Sequence, residues 1–330
     1  MSGDILSEVL RSVRLRGAVY YHVSTSSSWA ARAPAGRDIA AAVLPQSDHV
    51  MEYHALLRGS CWSTLDGLPP VRLQAGDIVL FPHGDSHVMA SAPGLDADPY
   101  VEHYFALQGM PRPFSLRIDG AEPSMAESID SNADTLLICG FFGCDLRPFN
   151  PLIATLPRML HLQAAQAAGW TSQFLLQAAE ESQRRRPGAE ALLERMSEMM
   201  FVEAMQRHAE TLPQDSHGWL AGLRDRLVGR ALALIHEDPA ADWTVDELGR
   251  RIGLSRSALH ERFVELIGQP PMQYLANWRM QLAAAQLCSS KATVATIAQN
   301  VGYESEAAFN RAFRRLMGSP PATWRRQKAA

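Results

Sequence analysis

The last hundred residues carry one pattern twice. "TVDELGRRIGL-SRSALHERFVELIGQPP" begins at Thr244 and "TVATIAQNVGYESEAAFNRAFRRLMGSPP" at Thr293. The copies run at an offset of 49 up to Leu254 and Tyr303, and at 50 after one extra residue in the second turn. Leu248 aligns with Ile297, Ile252 with Val301, Gly253 with Gly302, Leu259 with Phe309, Phe263 with Phe313, and Pro270–Pro271 with Pro320–Pro321. Self-similarity at a fixed period marks one supersecondary unit used more than once. The C-terminal end must therefore fold as two like units.

Each copy has the physical logic of a helix-turn-helix. Val245, Leu248 and Ile252 make one apolar face of a short helix. Gly249 and its partner Ala298 are small enough for a close crossing. Gly253 and Gly302 stand where the chain leaves that helix, which favours a left-handed backbone. Ser255 and Ser305 are placed to cap the next helix. That helix buries Leu259, Phe263 and Ile267 in one copy and Phe309, Phe313 and Met317 in the other, leaving its opposite face free for a major groove. Between the copies, "PPMQYLANWRMQLAAAQL" reads as one helix of about 27 Å at roughly 1.5 Å per residue, a strut that can set two such helices in successive groove segments.

With "SRSALHERF", "WRMQLAAAQL" and "IAQNVGYESEAAFNRAFRRLMGSPPATWRR" on view, residues 225–330 resemble the DNA-binding domain of the AraC/XylS transcription regulators. By position, the resemblance implies that Ser257, His260 and Glu261 face bases in the first copy, and Glu306, Ala307, Asn310 and Arg311 in the second. Arg256 is matched to a phosphate. The chain departs from the family at Glu261, where Arg is common; a carboxylate accepts from cytosine and cannot take a guanine edge. Arg314, Arg315, Arg325, Arg326 and Lys328, with Arg279 on the strut, are the expected phosphate contacts. Charge agrees: residues 230–330 carry 13 Lys and Arg against 9 Asp and Glu, in a chain whose formal net charge is −4.

Up to about residue 160 the pattern is different. Runs such as "HVMEYHALLRGSCWSTL", "VRLQAGDIVLFP" and "DTLLICGFFG", broken by Gly, Pro, Asp and Ser, read as a barrel or sandwich of short strands. Within them, Gly76, Pro82, Gly84 and His87 have the spacing of the second sequence motif of the cupin barrel, and Glu52 and Gly59 keep part of the first, whose His-x-His is missing. The resemblance implies a cupin-like sensor barrel. Its expected effector pocket holds Glu52, His54, His83, His87 and His103. Imidazoles and a carboxylate on facing strands also suit a divalent metal, with His54 and His87 as the candidate ligands, but the bland reading is hydrogen bonding within the pocket, and no cofactor is assigned. Cys61, Cys139 and Cys144 follow no zinc spacing and form no dense disulfide framework; a thiol-based redox sensor is the alternative they raise. A metal-dependent cupin enzyme is the remaining one, and an enzyme has no need of a tandem groove-reading domain.

From Ala164 the period turns helical. "GWTSQFLLQAAEESQRRR" and "GAEALLERMSEMMFVEAMQRHAE" read as a hairpin around Pro187–Gly188, with Leu192, Leu193, Met196, Met199, Met200 and Met205 as an apolar stripe for core packing or a subunit interface. The expected chain is a multidomain α+β protein. Its parts are a cupin-like effector-sensing β-barrel (1–160), a helical hairpin linker and dimerisation region (161–224) and an all-α tandem helix-turn-helix domain (225–330). No apolar run reaches the roughly 18 residues of a membrane span, and "MSGDILSEVLRSVRLRG" does not read as a secretory signal. The expectation is a cytoplasmic, non-enzymatic transcription regulator, a homodimer whose partners are promoter double-stranded DNA, RNA polymerase and a small-molecule effector.

Overall fold

The computed structural model describes residues 4–110, 112–130, 132–164, 177–181 and 186–328, with the side chains of 26, 27 and 328 outside that description. The strands among the described residues are β1 (Arg16–Ala33), β2 (His49–Arg58), β3 (Ser60–Thr64), β4 (Val71–Gln74), β5 (Ile78–Phe81), β6 (His87–Ala90), β7 (Phe114–Gly120), β8 (Glu122–Ala126), β9 (Thr135–Cys144) and β10 (Leu160–Leu162). They form one sheet in the order β10-β5-β2-β9-β1-β6-β3-β4, with β7 and β8 paired off β1. β9, "TLLICGFFGC", is buried along its whole length, as a strand covered on both faces must be.

The 18-residue β1 gives the sheet its curl. Its first half pairs antiparallel with β9 on one side and parallel with β7 on the other. The register shifts between Thr25 and Trp29, and Ala30–Ala33 then pair with β6. A bulge of this kind bends a strand and increases its twist, so the sheet closes as a half-barrel around a core that includes Tyr20, Val23, Trp29, Phe81, Leu116 and Phe141. At the turn between β5 and β6, Gly84 has φ +67°, and a Cβ there would lie 2.5 Å from the Val50 carbonyl oxygen. The Pro-x-Gly turn is thus required by backbone geometry and close approach together.

The helices are α1 (Ile5–Ser12), α2 (Gly36–Val43), α3 (Val101–Ala106), α4 (Ala189–Thr211), α5 (Trp219–Arg224), α6 (Val228–Glu237), α7 (Val245–Ile252), α8 (Arg256–Ile267), α9 (Pro271–Ser289), α10 (Val294–Asn300), α11 (Glu306–Met317) and α12 (Pro321–Lys328). The chain forms two compact units. One comprises Leu15–Cys144 and Leu156–His208; the other comprises Met1–Arg14, Asp145–Thr155 and Ala209–Ala330. The borders expected at 160 and 224 are continuous in sequence, whereas the observed units are not.

In the barrel unit, α4 packs its Leu193, Ser197, Met200 and Phe201 face inward: Phe201 meets Phe142 and the Ser197 hydroxyl pairs with Tyr53. The expected methionine stripe therefore divides. Leu193, Met200 and Met205 are core, while Leu192 and Met199 stay 43 % and 54 % exposed. The first helix of the expected hairpin lies mostly outside the described residues.

In the other unit, α7–α8 and α10–α11 are the two helix-turn-helix copies, joined by α9, whose 19 residues span about 28 Å at roughly 1.5 Å each. Thr244, Ser255, Thr293 and Ser305 each accept a backbone N–H at the first turn of the helix they precede. Leu248, Ile252, Leu259, Phe263, Ile297, Val301, Phe309 and Phe313 are buried as the repeat implied. The strut does more than space the copies, because Tyr274, Leu275, Trp278, Met280, Ala283 and Leu287 make it the core of the unit. α1 belongs here too. Glu8 meets His236 at 2.9 Å, and Gln281 of α9 donates to the Ser12 carbonyl while accepting from the Phe149 N–H.

Candidate functional site

Strand alternation builds the pocket in the barrel. Tyr21 and Val23 of β1, Glu52 and His54 of β2, Leu116 and Ile118 of β7, and Leu137 and Cys139 of β9 are pairs two residues apart, so each pair shares one sheet face. Register lines them up across the sheet: Cys139 stands opposite Tyr21 on one side and His54 on the other. Trp29, Met89, His103 and Tyr104 help to line a cavity of about 80 Å³.

Behind it lies a chain of buried polar groups. The Nδ1 of His87 is 2.9 Å from the Asp85 carbonyl oxygen, which can only accept, so Nδ1 carries the proton. In a neutral ring the Nε2 of His87 is then bare and accepts from the Nε2–H of His54 at 2.6 Å. The Nδ1 of His54, bare in turn, accepts from the Cys139 thiol at 2.9 Å. All three groups are neutral in this arrangement, and burial favours that state. It holds the His54 imidazole well below its ordinary value, brings His87 down to about 4 and pushes the Cys139 thiol up. Glu52, 6 % exposed, is pushed up to about 8 by burial, and its carboxylate lies 3.8 Å from the His54 Nε2.

Among the described residues, Glu52, His54 and His87 are the one cluster whose donor atoms fall within metal-sharing range, all within 4.8 Å of one another. The donors suit a divalent ion in kind but not in spacing. Two imidazoles on one tetrahedral zinc-like ion at about 2.0–2.1 Å stand roughly 3.3 Å apart, whereas 2.6 Å is a hydrogen bond. The rings would have to part before holding an ion, so no chemistry is routed through one.

Three of the five histidine and glutamate positions expected in the pocket line it: Glu52, His54 and His103. His87 stands one ring behind, stacked on Phe81 at 3.4 Å. His83 does not join them. Its Nε2 donates to the Leu156 carbonyl at 2.8 Å, and the residue lines a separate polar cleft with His49, Asp85 and Arg158, because it stands in the Pro-x-Gly turn beyond the end of β5 and not on a strand. The sequence reading missed Tyr21, Val23 and Trp29; the alternation in "VYYHV" is the signal that would have pointed to the first two. Cys61, Cys139 and Cys144 are buried, and burial raises the Cys61 thiol to about 12, so a reactive thiolate is disfavoured and the redox alternative finds no support.

The repeat exposes a different surface. Arg256, Ser257, His260 and Glu261 are exposed on α8; Glu306, Ala307, Arg311, Arg314 and Arg315 are exposed on α11, with Asn310 half-buried among them. On α11, Arg311, Arg314 and Arg315 lie three and four residues apart on one face. Among the described residues, no carboxylate lies within ion-pair distance of these three. The first copy differs: Arg256 reaches Asp246 at 3.4 Å, Arg262 pairs with Asp225, and Arg250 and Arg251 share Glu247.

Two expected phosphate contacts are corrected. Arg279 donates to the Pro239, Ala241 and Gly302 carbonyls, and Arg325 to those of Leu287 and Ala292. Both guanidiniums tie loops to the fold. The Lys328 side chain lies outside the described ones.

Two family models match the chain: "Cupin" over residues 4–210 and "Helix-turn-helix domain" over residues 248–327. An AraC-like transcription regulator of Streptomyces lividans is 33% identical over 325 residues, covering 98% of each chain. A second, of Streptomyces antibioticus, is 31% identical over the same length and coverage. The helix-turn-helix-type transcriptional regulator AlkR of Acinetobacter baylyi is 29% identical, covering 98% of this chain and 99% of its own.

Proposed function

The chain belongs to the AraC-like transcription regulators with a cupin-type N-terminal domain, and from that premise we propose that a small effector in the barrel pocket controls its binding to promoter DNA. The observation that carries this is the three unpaired arginines of α11 beside its exposed N-terminal residues. Exposed cations whose neighbours leave them uncompensated are what a phosphate backbone requires, and a helix with one buried face offers the other to a groove.

In this reading Ala307, Asn310 and Arg311 meet bases and Arg314 and Arg315 meet phosphates. Ser257, His260 and Glu261 do the lesser reading in the first copy, with Arg256 on the backbone. The barrel senses, the 161–224 region passes the change on and joins two chains through the exposed side of α4, and the helix-turn-helix pair meets promoter DNA and RNA polymerase in the cytoplasm. No catalytic step is assigned to the chain. No described helix is long and apolar enough to cross a membrane. An effector acts here only through its differential affinity for the DNA-competent arrangement.

The test is selection of duplexes from a random pool by the full chain, followed by titration against salt. The expected result is one enriched sequence bound at least 10³-fold more tightly than random duplex, with a steep loss of affinity as salt rises. Equal affinity for all duplexes would overturn the assignment.

A further inference from the structure

Two buried polar atoms in the barrel pocket have no partner: the Tyr21 hydroxyl and the His103 Nε2. Both residues line the cavity, and their rings lie 6.2 Å apart and stack at 28°. Tyr21 is 4 % exposed, so its hydroxyl is not served by bulk solvent. Buried polar groups are almost always hydrogen-bonded, and an orphaned one asks for an explanation. Here both lie along the same cavity wall. Most of the remaining lining is apolar, with Val23, Trp29, Met89, Leu116, Ile118 and Leu137 providing much of it beside Glu52, His54 and Arg32.

Resting on the reading of the barrel as the sensing half, we infer that its ligand is a small uncharged molecule, apolar over most of its surface, whose single hydroxyl or carbonyl oxygen bonds to Tyr21 Oη. The size follows from the cavity: about 80 Å³ is near half of the roughly 150 Å³ that takes up benzene. The pocket accepts the inner part of a one-ring molecule, with the remainder at its partly open mouth. His103 is a second partner for the same oxygen, since burial lowers its proton affinity and leaves it a neutral ring able to donate or accept.

Charge is excluded from both directions. Arg32 is the one arginine or lysine among the described lining residues, and Asp96 already holds it with two bonds of 2.6 and 3.0 Å. An anionic ligand would give up its hydration without finding a free counter-ion. A cationic ligand would likewise give up its hydration against a mostly apolar lining, in which Glu52, 6 % exposed, is the one carboxyl among the described residues.

The experiment uses the full chain at pH 7 and four matched probes: cyclohexanol, methylcyclohexane, cyclohexanecarboxylate and cyclohexylamine. Ligand binding raises the thermal midpoint by mass action. Cyclohexanol should raise it in a dose-dependent way, methylcyclohexane should bind about 10-fold more weakly, a difference of roughly 1.4 kcal/mol, and the two charged probes should give no shift at the same concentrations.

Tyr21→Phe removes an unsatisfied hydroxyl, so its midpoint without probe should equal or exceed that of the parent. It should lose the preference for cyclohexanol and keep its response to methylcyclohexane. Leu116→Phe, which fills the cavity, should abolish the response to both. The inference falls if a charged probe binds as tightly as the alcohol, if Tyr21→Phe weakens both neutral probes alike, or if none of the four shifts the parent. Promoter affinity measured in the same samples separates this from the sensing role. A probe that binds as described and leaves promoter affinity unchanged overturns the sensor reading alone; absent probe binding with intact promoter binding overturns the ligand class alone.

Discussion

At the scale of single residues, identical side chains have been given opposite work. Arg311 and Arg279 are both helical arginines in a basic segment, yet Arg311 is exposed with no carboxylate in ion-pair distance among the described residues, while Arg279 is spent on three carbonyls. Charge type is visible in a sequence; the unpaired carbonyls that claim one arginine and not another are made by loops closing on each other. Replacing Arg311 with Ala should cost about 1–3 kcal/mol at one base position and relax discrimination there, measured by titrating single-substituted operators; a uniform loss over all operators would make it a phosphate contact.

The buried ionisable groups make a second prediction. His87 titrates near 4 in the folded chain, below its usual 6.5, so below pH 6.5 the unfolded chain takes up protons that the folded one refuses, and stability falls toward pH 4. Glu52 acts in the opposite sense: its folded value of about 8 lies above the unfolded 4.5, and its contribution is lost as pH rises between those two values. Thermal midpoints from pH 5 to 8 should therefore decline less in Glu52→Gln than in the parent, while the acid side stays unchanged.

At the scale of elements, the helices were far more legible than the strands. Both copies of the repeat have the expected capping serines and buried faces, because a helix's apolar period and its capping residue act within a few positions of each other. Ser305→Ala should cost about 1 kcal/mol, read as a shift in the denaturation midpoint, since it removes the acceptor of the Ala308 N–H. Gly249 was expected to permit a close helix crossing. In the fold a Cβ at Gly249 would lie 2.7 Å from the Leu254 carbonyl oxygen, so the glycine makes room for the turn. Strand β1 escaped the sequence reading as an 18-residue element, since its two halves pair with different neighbours and no single alternation runs through it. The pocket was only partly legible for the same reason: the Pro-x-Gly turn and His87 have a readable spacing, while Tyr21 and Trp29 enter only through β1's register and bulge.

At the scale of the whole molecule, the DNA-binding unit is built from three stretches of chain. Val9, Leu10 and Val13 are at most 7 % exposed, and Gln281 on the strut bonds to both outlying segments. Arg14, two residues before β1, and Asp145, just after β9, are joined at 2.6 Å. Removing residues 1–14 should destabilise this unit by several kcal/mol, at roughly 1.5–3 kcal/mol per buried side chain, and lower its melting temperature and promoter affinity together. An unchanged melting temperature would mean that α1 only decorates the strut. A fragment beginning near residue 225 should show the same deficit, which a sequence-continuous division of the chain does not anticipate.

What the amino-acid sequence determined by itself was the duplicated helix-turn-helix, its strut, the exposed face of each recognition helix and the presence of a cupin-type turn. These rest on spacings of two, three and four residues and on local backbone needs, all of which are written along one dimension. The tertiary structure alone decided that His83 leaves the pocket and Tyr21 enters it, that His54, His87 and Cys139 lock one another as neutral groups, and that the first helix of the chain braces the strut. Those outcomes depend on register, curl and chain closure, where residues more than a hundred positions apart compete for the same buried space.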